Sequence, residues 1–585
     1  MASTTSLFIG LSGLNASSRN IDVIGNNISN VNTNGFKSVR LNFANSLSRT
    51  VSEGSAPGDA IGGTNPTQFG QGVTVAGTQR NMSDGSLTGT GDARDLAIEG
   101  QGFFVLERGA DQLYSRVGNF RTDRENFLTS IDGNYVMGFG VDENFNVQQG
   151  QLERIQIPVG DLTIAEATTQ VNLSGNLNAS GAAATNGSTH TLTGSGGLGL
   201  GLIAGATTPA TPPNVIEQDS LLTEIESPAA PGSGTPAFNA GQTIRIDGAE
   251  KGTQLLGARG FLVEATSTLQ DFLGFINDSL GIQTDIGTNA DGRQPGASLD
   301  PLTGILEVTG NQGEANDIEI TGEDIRTFNA DGSLSSQPFL VNRSASAAGE
   351  SVRTSFTVFD SLGTPLRTDL SLVLESKTNT GTNWRYFAES PDDTTDGPSI
   401  GTGLVSFDNF GQLIEPQSAA VTLDRDGTGA ASPLSFQLNF NADGDRVTAL
   451  SDTDSSLVST FQDGVPIGTL GSYSVAPDGI ITGTFSNGLL RSLGQVAIAD
   501  FTVPEGLVEI EQNLYRPGPN SGPAIITEPL ELGTGRVVSG ALETSNVDLG
   551  EEFIELILAS TGYSASSRVI RTSDELIQQL LVLGR

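Results

Sequence analysis

No cysteine occurs in the chain, which excludes disulfide crosslinks, thiol chemistry and cysteine-ligated metals. Histidine is almost as scarce: His190 is the single imidazole, so a zinc or copper site lacks its usual ligands. A Ser-His-Asp triad would have to form around His190 in a stretch rich in Gly and Thr, where a solvent-exposed turn is the simpler expectation. Positive charge is the next shortage. Lys37, Lys251 and Lys377 are the only lysines, and 29 basic residues face 67 acidic ones, for a net charge of -38 and a pI near 4.1. Such a surface repels nucleic acid and anionic membranes, which bind by exchanging counterions for basic side chains. No apolar run approaches membrane-spanning length, so no membrane insertion is expected. The opening residues MASTTSLFIG lack a basic segment and a continuous apolar stretch, so no cleaved secretory signal is read, and export would need a different route.

Motifs for cofactors are equally thin. Gly194, Gly196 and Gly199 fit the spacing of a dinucleotide-binding turn, but Pro209, Pro212 and Pro213 stand where its helix should run. No lysine follows a glycine, so the usual phosphate-binding loop is absent. Asp424/Asp426, Asp443/Asp445 and Asp452/Asp454 are paired carboxylates without the glutamate-terminated spacing of a calcium loop, and turn chemistry accounts for them. The expectation is no catalytic residue, no cofactor and no metal.

What the chain has in quantity is glycine, 75 residues of 585, with only 16% charged residues between. Short strands joined by many turns follow, in several domains. The two ends differ from this. Leu7, Leu14, Ile21 and Ile28 recur every seven residues, with Leu11, Ile24 and Val31 between them, the narrow apolar seam of a coiled-coil helix. At the other end Leu549, Leu556, Tyr563, Ile570 and Ile577 repeat the spacing, joined by Phe553 and Leu581, behind a helix-start signal in Asp548 and Glu551. Gly10, Gly13 and Gly25 each weaken the first helix by about 1 kcal/mol relative to alanine, and Asn26, Asn27 and Asn30 add little. It therefore needs a partner, either the other terminus of the same or a neighbouring molecule, or a monomer's core against which both ends dock. Residues 1–35 are neutral and 546–585 nearly so; the acidity lies in the middle, as suits a subunit packed through its ends.

Between the ends, 36–90 reads as an extended connector with short strands, and 92–158 as an antiparallel meander punctuated by Gly and Asn. From about 180 to 350 the composition loosens into Ala, Gly, Thr and Pro around one helix at 267–281, with a Ser267/Gln270 capping box and Leu269, Phe272, Leu273, Ile276 and Leu280 on one face. Strand alternation returns from 355 to about 535. The tetrad NADG at 289, 329 and 441 marks recurring turns, spaced too irregularly for a solenoid.

LSGLNASSRNIDVIGNNISNVNTNGFK at 11–37 and LETSNVDLGEEFIELILASTGYSASSRVIRTSDELIQQLLVLGR at 542–585 resemble the paired ends of the bacterial flagellar rod and hook axial proteins. DLAIEGQGFFVL at 95–106 is common to rod and hook members, whereas SFTVFDSLGTPL, FDNFGQL and APDGIITGTFSNGLLRSLGQVAIADF are similar to the hook branch. The resemblance departs at Ser560, Thr561 and Gly562, where a longer polar segment is common, and covers little of 180–345.

What the resemblance implies is a mainly β, multidomain fold with nested discontinuous β domains and N- and C-terminal helices forming a coiled-coil core. Its divisions would be a helical core of 1–35 with 546–585, a connector of 36–91 with 536–545, an inner β domain of 92–158 with 445–535, a second of 159–180 with 350–444, and an outer insert of 181–349. The implied function is a self-assembling subunit of a curved extracellular tube that transmits motor torque to the filament as a universal joint and encloses an export channel. Implied partners are further copies of the chain, the distal rod protein, the hook cap protein, the hook-filament junction protein and the flagellar type III export apparatus. Alternatives are another axial protein, from the distal rod or the junction, and a secreted adhesin or carbohydrate-binding enzyme capped by helices.

Overall fold

The computed structural model describes every residue except 1, 60, 195–196, 198, 204–215, 228–231, 396, 443, 452 and 584–585, and the side chains of 2–4, 580 and 583. Gly196, Pro209, Pro212, Pro213, Asp443 and Asp452 of the motifs above thus lie outside the described residues. The chain forms two compact units, 1–163 with 469–585 and 164–468, so the second is inserted into the first. Strands dominate both. Three α-helices are described: α1 (Ala2–Ser29), α2 (Leu269–Ser279) and α3 (Leu549–Leu583).

In the first unit the expected meander forms the centre of a large antiparallel sheet. Ile480–Phe485, Leu490–Val496, Tyr135–Val141, Phe103–Arg108, Asp111–Ser115 and Leu514–Arg516 lie side by side in that order. Phe103, Phe104, Val105 and Leu106 form a continuous apolar run because both faces of this strand are covered. Phe103 meets Phe501 edge-on at 5.8 Å on one face, and Phe104 meets Phe120 at 5.1 Å on the other. The connector at 36–90 is more ordered than its composition suggests. Val39–Asn45 pairs with Val73–Arg80, and Ser48–Ser52 with Thr67–Gly70, so the segment doubles back as one long antiparallel ribbon.

The second unit contains a five-stranded antiparallel sheet, Ser351–Phe359 through Leu413–Glu415, whose Trp384, Leu372 and Phe407 share a core with Val421, Phe436 and Leu173. Ser418–Leu423 and Leu434–Asn439 alternate strictly between buried and exposed, as half-buried strands should. Residues 445–468, grouped by sequence with the inner domain, contribute Ser456–Gln462, which ladders onto Gln170–Asn176 here.

The loosely composed stretch between 181 and 349 carries a core of its own. Helix α2 packs Leu269, Phe272, Leu273 and Ile276 against Phe238, Phe339, Ile244 and Leu306. Its capping box is one residue later than expected: Thr268 accepts from the Asp271 backbone N–H and Asp271 returns the bond, while Ser267 accepts from the Glu264 N–H. Two of the NADG tetrads form the same turn, Asn289 N–H to Arg293 O and Asn329 N–H to Ser333 O, each at 2.8 Å, with Gly292 and Gly332 at positive φ. Asp424 takes the Asp426 N–H at 2.8 Å, as a turn residue does.

His190 corrects the sequence reading. It occupies a central strand, Gly187–Thr193, between Ile305–Gln312 and Leu340–Ala345, and is 1% exposed rather than on a turn. Neither ring nitrogen has a hydrogen-bond partner. Burial, then the Arg343 guanidinium beside it, lowers its pKa to about 4, with Asp317 opposing. Between about pH 6.5, where the unfolded imidazole charges, and about 4, the unfolded chain binds a proton that the folded one refuses. Stability of the second unit therefore falls as pH drops through that window. Thermal melts of wild type and His190→Leu from pH 7 to 4 will show a steeper loss in wild type; parallel curves would refute this assignment.

Candidate assembly site

The termini meet within one chain. Helices α1 and α3 run antiparallel, with Gly10 beside Ile570, Gly13 beside Ser566, Ser17 beside Gly562, and Asn27 bonded to Glu552. The seam is made of small residues. A Cβ placed on Gly10 would sit 2.7 Å from Ile570 Cγ1, and one on Gly13 would sit 2.7 Å from Ser566 Oγ. Ala16, Ala559 and Ser573 are buried along the same line. Gly10 and Gly13, which cost helix propensity locally, are therefore the positions that let two backbones approach, and packing outweighs the local cost. Gly25, with nothing within 4 Å of its would-be Cβ, has no such role. The departure from the family pattern at Gly562 falls on this contact line, against Ser17 Oγ.

The expected seam residues divide between two environments. Ile24 is fully buried, and Leu7, Leu14, Ile21, Ile28, Leu556, Ile570 and Ile577 are half-buried. Leu11, Leu549, Phe553, Tyr563 and Leu581 are exposed. Val31 lies past the end of α1, in the turn that follows Ser29, and is half-buried there. Sequence reasoning passed over a second apolar set that is exposed beside them: Phe8, Ile9, Ile554, Ile557, Leu558 and Leu576. The signal for these was adjacency. Neighbouring residues on a helix point about 100° apart, so pairs such as Phe8/Ile9 and Ile557/Leu558 cannot all face one seam.

At the base of the pair, side chains staple both termini to the start and end of the 39–80 ribbon. Asn27 donates to Val39 O and to Glu552 Oε1, each at 2.8 Å, and accepts from the Val39 N–H. Asn546 accepts from the Ser38 N–H at 2.8 Å and donates to Asn81 O and Ser83 O. Asp548 begins α3 by accepting from the Gly550 and Glu551 N–H groups. Below them lies a buried charge cluster that sequence reading missed. Lys37 Nζ donates to Glu543 Oε1 at 2.6 Å and to Ser83 O at 2.7 Å, both side chains being almost fully buried. Glu543 also takes the Gly85 N–H at 2.8 Å, and Arg116 lies 3.6 Å from its second oxygen and 3.3 Å from Asp84. Burial, then the nearby Arg116 charge, lowers the Lys37 pKa, while Glu543 opposes. The signal was the scarcity of lysine itself. Of three lysines, Lys37 and Lys251 are buried in the two units, the second paired with Glu389 and donating to Gly281 O at 2.8 Å.

Beside this base lies a cavity of about 580 Å³ lined by Arg40, Arg80, Glu505, Glu551, Glu552 and Glu555. Burial of Glu552 raises its carboxyl pKa. Among the described residues no group of three or more His, Asp or Glu is placed to hold a metal ion. The arrangement offers apolar surface and fixed charge.

Comparison with known proteins agrees from end to end. Residues 7–37 match the flagella basal body rod protein family, 97–179 the flagellar hook protein FlgE/F/G D1 domain, 327–465 the flagellar basal body protein FlaE D2 domain, and 538–583 the flagellar basal body rod FlgEFG protein C-terminal family. The flagellar hook protein FlgE of Treponema pallidum is 28% identical over 99% of both chains, and that of Escherichia coli 26% over 98% of both. The chain belongs to the flagellar hook protein family. A crystal structure of the Helicobacter pylori flagellar hook protein FlgE2 aligns over 78% of this chain and all of its own, at 19% identity and a TM-score of 0.38. The hook protein family is one of structural subunits, and the matches at 7–37 and 538–583 cover most of the helix pair and its base.

Removing one partner from the buried pair leaves the other charge uncompensated, at about 3–5 kcal/mol. Glu543→Gln should destabilise the first unit by that order in calorimetry, and Lys37→Met together with Glu543→Gln should cost less than Glu543→Gln alone. A double variant at least as unstable as Glu543→Gln would show that the pair is not coupled.

Proposed function

We propose that the chain polymerises through its terminal helices into the hook tube and there acts as a universal joint, flexible in bending and stiff in twist. The carrying observation is that α1 and α3 satisfy each other through small residues and still expose two sets of large apolar side chains, with Leu558 66% and Phe8 69% exposed. Exposed apolar surface of this size marks an interaction site, and the same surface repeated head to tail builds an open helical polymer. The seam residues Leu7, Leu11, Leu14, Ile21, Ile24, Ile28, Val31, Leu549, Phe553, Leu556, Tyr563, Ile570, Ile577 and Leu581 act in assembly by two routes. The buried and half-buried members set the helix pair, and the exposed ones meet neighbouring copies.

On this reading the β domains face outward, the helices line the export channel, and the tube lies outside the cell, reached through the flagellar type III apparatus. The distal rod, hook cap and hook-filament junction proteins meet its two ends. The acidity of the middle and the near-neutral ends support this arrangement.

Ile557→Asp with Leu558→Asp tests the proposal. Both side chains are exposed, so the melting temperature should move by less than about 2 °C, while polymers visible by negative-stain electron microscopy should disappear. Polymers of normal length from this variant would overturn the assignment of the exposed face.

A further inference from the structure

We infer that copies are held in register by charge, with Glu551 and Glu555 of one α3 meeting Arg568 and Arg571 of the next; this rests on the self-assembly reading above. All four side chains are exposed, and among the described residues none of them enters an ion pair within 4 Å. Glu551, in the first turn of α3, complements the helix dipole, whereas Glu555 stands one turn further on. Arginines twelve or more residues before the helix end are outside the reach of that effect.

The spacing is what ties the two sets together. Glu551 to Arg568 and Glu555 to Arg571 are both about 25 Å along the axis at 1.5 Å per residue, so one rigid displacement satisfies both pairs. Around the helix, at 100° per residue, the acids lie together beside the line that contacts α1, and the arginines lie about 150° away, facing away from α1. Glu551 and Glu555 are out of reach of Arg568 and Arg571 on the same helix, so a contact between the two sets comes from another molecule; Glu575, four residues after Arg571, is the nearer acid on α3 itself, and among the described residues it is not within 4 Å of that arginine. Because donor and acceptor faces differ, the contact is heterologous, and with a displacement of about 25 Å along the axis at each step it builds an open chain rather than a ring. Asp574, the acid next to the arginines, is drawn off by Gln578, whose side-chain amide donates to it at 2.9 Å. On the acidic side, Glu551 and Glu555 border a cavity shared with Glu505, Glu552, Arg40 and Arg80; Arg80 is paired with Glu509 and Arg40 is bonded to Gln79, so four carboxylates of the lining are left for an incoming guanidinium. The occupant is a second copy of this chain, identified by that match of charge and spacing.

Charge reversal tests it on the full chain. Glu551→Arg with Glu555→Arg makes both faces basic, and Arg568→Glu with Arg571→Glu makes both acidic. Each variant alone should lose at least tenfold in polymer mass by sedimentation at low ionic strength, and an equimolar mixture should recover it by alternation. The fourfold reversal should assemble by itself and fail to copolymerise with wild type. Recovery in the mixture also shows that the separate variants fold. Since the chain has no cysteine, Glu555→Cys with Arg571→Cys introduces the only thiols; they are too far apart to join within one helix and should yield a ladder of disulfide-linked oligomers. If the reversed variants polymerise like wild type, or the thiols give no ladder in polymer, the register assignment is wrong while self-assembly stands. If wild type stays monomeric under every condition, self-assembly falls and the register assignment with it.

Discussion

Everything in the first unit is arranged around the buried pair of Lys37 and Glu543. One follows α1 and the other precedes α3, yet 506 residues separate them, and Ser83, Gly85, Asp84 and Arg116 close around the pair from two further segments. Two charges taken out of water bring little net stability. What they impose is position: an ammonium in a dry site must find its carboxylate, so the exit of one helix and the start of the other can lie in only one place. The neighbouring amides of Asn27 and Asn546 repeat the constraint with neutral hydrogen bonds.

From that fixed base the two helices run together along a seam of glycine, alanine and serine. Small residues bring the backbones close and use little of the apolar side-chain surface, so the rest is left over. In a monomer such a surplus is a liability; in the assembly proposed above it is the material for contacts between copies. The same economy explains why both helices have modest local propensity. A helix stabilised by its neighbour forms in the place where the neighbour is.

The second unit makes the opposite use of a similar composition. Residues 181–349 contain few strong strand signals, but two NADG turns with a glycine at positive φ set hairpin corners, and a cluster of phenylalanines, Phe238, Phe272 and Phe339, supplies a core. Buried within it, Lys251 and His190 are polar groups tolerated for different reasons: the first is paired with Glu389, the second is uncharged.

Periodicity alone located both terminal helices and the meander at 92–158, because period seven and period two are properties of neighbours along the chain. It also identified the apolar positions of α2 and gave its capping box to within one residue. Whether Gly10 and Gly13 were flaws or contact points was not legible, since their value depends on Ile570 and Ser566, more than five hundred residues away. For the same reason the ribbon at 39–80, the burial of His190 and the pairing of Lys37 with Glu543 were decided only when the chain folded. Local pattern determines which segments can be helix or strand; which of their faces meet, and which stay exposed, is set by contacts between segments that have no sequence relation to each other.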